Sequence, residues 1–140
     1  MKCKSLLLTA ILMLSCFVAL SQELTNEAKI LEVYGQEWVN ARKVDQPDLL
    51  VLMDKYISHG FMVNDVSEGK YQEFEPLEFI SLTTKNEQVV TVDEFLTDFG
   101  SSTFNPLHYT FFPTQDVQIF KLKGVNKIIY ILPQSSILLK

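Results

Sequence analysis

The sequence predicts an α+β domain: an N-terminal helix pair, short strands, one short helix and a C-terminal antiparallel β-meander, packed as one unit over residues 22–140. Three observations predict it. Apolar residues recur at spacings of three and four through the first part of the domain. A capping box stands at Thr91 and Glu94. The last third breaks into short apolar runs separated by turn residues.

The first helix is expected over 25–42. Leu24, Ala28, Leu31, Tyr34, Trp38 and Ala41 form an apolar stripe, with Glu27, Glu37 and Lys43 off it. Gly35 in its interior costs about 1 kcal/mol relative to alanine, which a close packing partner would explain. Asp45, Gln46, Pro47 and Asp48 end this helix and start another. Pro47 suits a first helical turn and Asp48 its positive end. Leu49, Leu52, Met53, Tyr56 and Ile57 continue the helical spacing, and Gly60 is the expected C-terminal stop.

Strands are then expected over 61–63 and 71–74, joined by a turn over 67–70. Residues 77–82 read as a stretch buried on both faces, and 88–90 as a further short strand. Thr91 and Glu94 can satisfy each other's backbone N–H groups, while Val90 and Phe95 form the matching hydrophobic staple. A helix over 92–99, ended by Gly100, follows. Strands over 109–112, 117–123, 127–132 and 137–139 complete the meander, with Gly124, Val125 and Asn126 as a hairpin loop. Pro113 and Pro133 each mark a strand end or an edge. This element order is similar to that of the NTF2-like cone folds over most of the domain. The resemblance implies an alternative architecture with a cone-shaped pocket.

Residues 1–21 read as a secretory signal peptide. Lys2 and Lys4 make a positive start, an apolar run follows, and Ala19, Leu20 and Ser21 give a small-x-small cleavage pattern. The run of about 16 residues is short of the roughly 20 needed to cross a bilayer. Leu12, Met13, Leu14, Ser15 and Cys16 resemble a degenerate bacterial lipobox, which implies lipidation of Cys16 as the alternative. Met13 and Leu14 depart from the usual pattern. The expected location is periplasmic or secreted, or lipid-anchored through Cys16. Cleavage at Ser21 leaves 119 residues, removes both Cys3 and Cys16, and excludes a disulfide. No transmembrane span is expected after cleavage.

Composition excludes several classes. Lysine plus arginine total 12 against 17 acids, for a net charge of −5, with 47% hydrophobic residues. A disordered tail, a collagen-like chain and a strongly basic nucleic-acid binder are excluded. Losing Lys2 and Lys4 moves the charge to −7. It divides unevenly: −3 over 22–63, −7 over 64–98 and +3 over 99–140. An acidic face could dock a cationic partner, or the lysines of the last third could pair with the acidic middle.

The catalytic candidates are His59 and His108, which could join Asp65 or Asp98 in an acid–base pair. The plainer reading makes His59 a cation at a helix C-terminus and His108 a strand-edge residue. There is no Gly-x-Ser-x-Gly elbow, phosphate-binding glycine loop or EF-hand, and no cofactor or metal is expected. Tyr71, Glu73, Glu75 and Glu78 are the binding candidates. Carboxylates beside an aromatic platform can hold a sugar, although a strand pair with acids outside explains them too.

The expected function is therefore a small exported, non-catalytic binding module, with a cationic protein or a carbohydrate as partner and no nucleic acid. The first alternative is a small enzyme with a His/carboxylate pocket in an NTF2-like cone. The second is an envelope assembly subunit that adds its edge strands and its apolar tail, Ile137, Leu138 and Leu139, to another sheet.

Overall fold

The computed structural model describes residues 23–67 and 80–140. They form five α-helices and a three-stranded antiparallel sheet, an α+β arrangement.

Two helices, α1 (Glu27–Tyr34) and α2 (Gln36–Asp45), replace the single one expected over 25–42. The break is Gly35, at φ 80° and ψ 163°. L side chains rarely adopt that φ, and a Cβ at this position would meet nothing within 4 Å. Backbone freedom, not a close neighbour, is what requires glycine here. The break also resets the helical phase. Ile30 and Val39 are fully buried, whereas Ala28 and Ala41 of the expected stripe are exposed.

Helix α3 (Pro47–Lys55) starts on Pro47 as expected and buries Leu50, Leu52 and Met53. It holds the start of α1: the Asn26 N–H donates to Asp54 Oδ1 at 2.6 Å, and Asn26 Nδ2 donates to Ser58 Oγ at 2.8 Å. A π-helical turn, Tyr56–Gly60, continues it. Gly60 is not a left-handed stop; its φ is not positive. A Cβ there would lie 2.8 Å from Ile137 Cδ1 and 2.9 Å from Tyr56 Cδ2. Close packing is what demands this glycine.

The sheet comprises β1 (Phe61–Asp65), β2 (Gln118–Lys121) and β3 (Lys127–Ile131), in the order β1-β3-β2. β3 is central, which accounts for its run of Ile128, Ile129 and Ile131, all buried. The loop between β2 and β3 turns on Gly124, at φ 84°. Asp65 stands opposite Lys127 and forms an ion pair with it. The Ile80 N–H donates to the Lys121 carbonyl at 3.2 Å, which places residue 80 beside β2. The turn over 67–70 and the strand over 71–74 fall largely or wholly outside the described residues, as do residues 77–79; in residues 80–82, which form no strand, Leu82 is buried but Ser81 is exposed, so that part is not buried on both faces.

Helix α4 (Val92–Phe99) forms where expected. Thr91 Oγ1 accepts from the Glu94 N–H at 3.2 Å, and Glu94 Oε2 accepts from the Thr91 N–H at 2.7 Å. The four-strand meander is not formed. Only its middle pair, β2 and β3, makes a hairpin, and β1 fills the other side of β3. Tyr109 and Val89 make isolated bridges, to Thr84 and Thr83, in place of the strands expected over 109–112 and 88–90.

The last expected strand, 137–139, is instead the end of helix α5 (Gln134–Leu138) and its C-cap, Leu139. The Pro133 carbonyl accepts from the N–H groups of Ser136 and Ile137, which starts the helix. Only Ile137 of the apolar triplet is buried; Leu138 and Leu139 are 44% and 87% exposed, so the triplet has no strand-like buried face. Between helices and sheet lies an aromatic core centred on Phe61, whose ring is 5.6–6.3 Å from those of Tyr56, Phe95, Phe99, Phe104 and Phe111.

Candidate functional site

The two histidines face different elements. His59 Nε2 lies 3.1 Å from the Ile137 carbonyl of α5. His108, in a 3-10 turn (Pro106–His108), has Nε2 3.4 Å from Glu32 Oε1 of α1. Neither engages the expected acids. Asp65 pairs with Lys127, and Asp98 accepts a hydrogen bond from the Tyr109 hydroxyl at 2.8 Å. Burial, then that bond, pushes the Tyr109 hydroxyl's pKa up.

Around His108 the chain assembles a polar and aromatic face. Its keystone is Asn105, a buried side chain. Asn105 Oδ1 accepts from the Leu107 N–H at 3.1 Å, and Nδ2 donates to the Lys29 carbonyl at 2.9 Å. Nδ2 also lies 3.4 Å from Glu32 Oε2, so one carboxylate oxygen faces Asn105 and the other His108. Lys29 Nζ donates to the Phe104 carbonyl at 2.6 Å, which clamps α1 to the segment before the 3-10 turn.

Lys85 joins this face from a tight turn. Its N–H donates to the His108 carbonyl at 2.9 Å, and the turn closes through Thr84 and Gln88. The Lys85 ammonium donates to the Tyr34 hydroxyl and lies 3.8 Å from the centroid of that ring. Partial burial holds its pKa below the ordinary lysine value. Tyr34 stacks on Trp38 with centroids 4.2 Å apart, and the Arg42 guanidinium carbon lies 5.3 Å from the Trp38 ring. Lys85, Tyr34, Trp38 and Arg42 thus form a ladder of two rings with a cation at each end. Cation–π contacts of this exposed type are worth about 0.5–1 kcal/mol. Long cationic side chains can leave a ring face to meet an anion while their stems stay packed.

Among the described residues no group of three or more His, Cys, Asp or Glu side chains could hold a metal ion. Among the same residues no helix is long and apolar enough to cross a membrane. Tyr71, Glu73, Glu75, Glu78 and Cys16 lie outside the described residues. The sequence carries no local signal for Glu32 or Lys85, and the Tyr34 and Trp38 of its apolar stripe are half-buried against the core as well as part of this face. The available signal is the i,i+4 spacing of Trp38 and Arg42, which aligns them on one face of α2; Tyr34 lies on α1, beyond the Gly35 break. No family model, curated protein or solved structure matches this chain.

Proposed function

We propose that the protein is an exported binding module whose ligand is an acidic carbohydrate. One observation carries this: the aromatic pair Tyr34 and Trp38, stacked and half-buried, with Lys85 at one end and Arg42 at the other. A sugar ring presents an apolar C–H face to an aromatic ring. Its carboxylate would draw the Lys85 ammonium off Tyr34 and pair with it. Export is supported by Lys2, Lys4, the apolar run and the small residues before Gln22.

The test is electrophoresis of the mature chain through native gels with and without polygalacturonate. The unmodified chain is expected to be retarded by the polymer and not by a neutral cellulose ether. Lys85→Ala should weaken retardation about tenfold, equivalent to roughly 1.4 kcal/mol. Trp38→Leu, which keeps apolar bulk against the core, should weaken it similarly. Equal mobility of the unmodified chain in both gels would exclude the proposal.

The Glu32–His108 contact favours a second reading, an acid–base site on the same face. It predicts chain scission of the bound polymer, abolished by His108→Ala with binding retained. Intact polymer after prolonged incubation would remove it.

A further inference from the structure

The ladder of two rings and two cations is bracketed by carboxylates. At one end, Arg42 Nη1 donates to Asp45 Oδ2 at 2.5 Å. At the other, the Lys85 N–H rests on the His108 carbonyl, and His108 Nε2 lies 3.4 Å from Glu32 Oε1. Both acids face solvent: the side chains of Glu32 and Asp45 are 56% and 51% exposed. Lys29, three residues before Glu32 on α1, gives its ammonium to the Phe104 carbonyl and not to Glu32. Each cation that can meet an anion thus stands near an acid that repels a second one.

We infer that this face selects isolated carboxylates: its ligand is an acidic carbohydrate with uncharged rings between its uronates, preferred over a uniform polyuronate, and Glu32 and Asp45 set that choice. The inference rests on the acidic-carbohydrate reading above and narrows it.

Charge spacing is the physical cause. In a uniform polyuronate every ring carries a carboxylate. A chain that places one of them on Lys85 or Arg42 brings its neighbours toward Glu32 or Asp45. Adjacent rings lie well within the roughly 10 Å over which charges act at 0.1 M salt. Like charges set against each other disfavour that partner, which is specificity by repulsion.

An uncharged ring beside the uronate reverses the effect. Its hydroxyl groups can donate to Glu32. That carboxylate has acceptor capacity left, because its contacts with His108 and Asn105 are both long, at 3.4 Å. The charge of the whole chain acts in the same direction. Acids outnumber bases 17 to 12, so a dense polyanion is repelled more than a sparse one.

The test uses two oligogalacturonates of equal length, one fully ionised and one with alternate rings methyl-esterified. Rings and linkages are then the same, and only the charge spacing differs. Each is titrated calorimetrically into the mature chain in low-salt buffer. The half-esterified chain is expected to bind about tenfold more tightly, although it carries fewer charges for the cations to meet. Glu32→Gln combined with Asp45→Asn should remove this preference by tightening the binding of the fully ionised chain. Each single change should remove part of it. Equal affinities in the unmodified protein, tighter binding of the fully ionised chain, or a preference that survives in the double variant would each overturn the inference and leave the acidic-carbohydrate reading standing. Loss of the preference through weaker binding of the half-esterified chain alone would also overturn it. Binding of neither would exclude both readings.

Discussion

Two glycines show how one residue type meets opposite demands. At Gly35 the backbone takes a positive φ and the space around the missing side chain is open. At Gly60 the backbone is ordinary and the space is taken by Ile137 and Tyr56. Gly35→Ala should destabilise the fold by about 1–3 kcal/mol through the positive-φ, extended backbone alone. Gly60→Ala should cost about 1–3 kcal/mol through overpacking, and Ile137→Ala should relieve part of that cost. A double-mutant cycle in urea measures this: positions 60 and 137 should couple, and positions 35 and 137 should not. The sequence places Gly35 inside one continuous helix and Gly60 at a C-terminal stop, and the structure gives each glycine a different reason. Linear spacing marks a glycine without showing whether φ or a distant neighbour requires it.

At the scale of elements, legibility follows the range of the determinants. The capping box of α4 lies within a few consecutive residues, and the helix forms where the sequence places it. Thr91→Ala should cost about 1 kcal/mol in a denaturation experiment. Glu94 adds a pH signature. The Thr91 N–H, and then its hydroxyl, hold the Glu94 carboxyl below the usual carboxylate range. A depressed folded pKa gives stability that is complete above the unfolded value and lost as pH falls through the folded one. The difference in stability between Glu94→Gln and the unmodified chain should therefore shrink with acidification below the ordinary carboxylate range. Denaturation midpoints across that range check it. Helix α5 is the opposite case. Ile137, Leu138 and Leu139 look like a strand locally, but Gly60, Lys55 and His59 decide their conformation from far away in sequence. Because α5 buries Ile137, deleting residues 136–140 should destabilise the monomer by about 2–5 kcal/mol rather than abolish an assembly alone. Equilibrium unfolding of the truncated chain is the check.

At the scale of the molecule, the charge division in the sequence is partly consumed internally. Lys127 of the basic third pairs with Asp65 of the acidic middle, and Glu94 is engaged in its cap. The α+β class was legible because helical spacing and short apolar runs are local patterns. The sheet order was not, because β1 pairs with β3 across 62 to 70 residues of sequence. The candidate face draws on α1, α2, the Lys85 turn and the 3-10 turn, and only long-range packing unites them. Its position near the sole tryptophan makes it directly observable. Trp38 fluorescence, titrated with a defined oligogalacturonate, tests the proposed function at its centre. A saturable change in the unmodified chain, weakened about tenfold by Lys85→Ala, is expected. No change with the oligogalacturonate, or the same change with a neutral oligosaccharide, would contradict it.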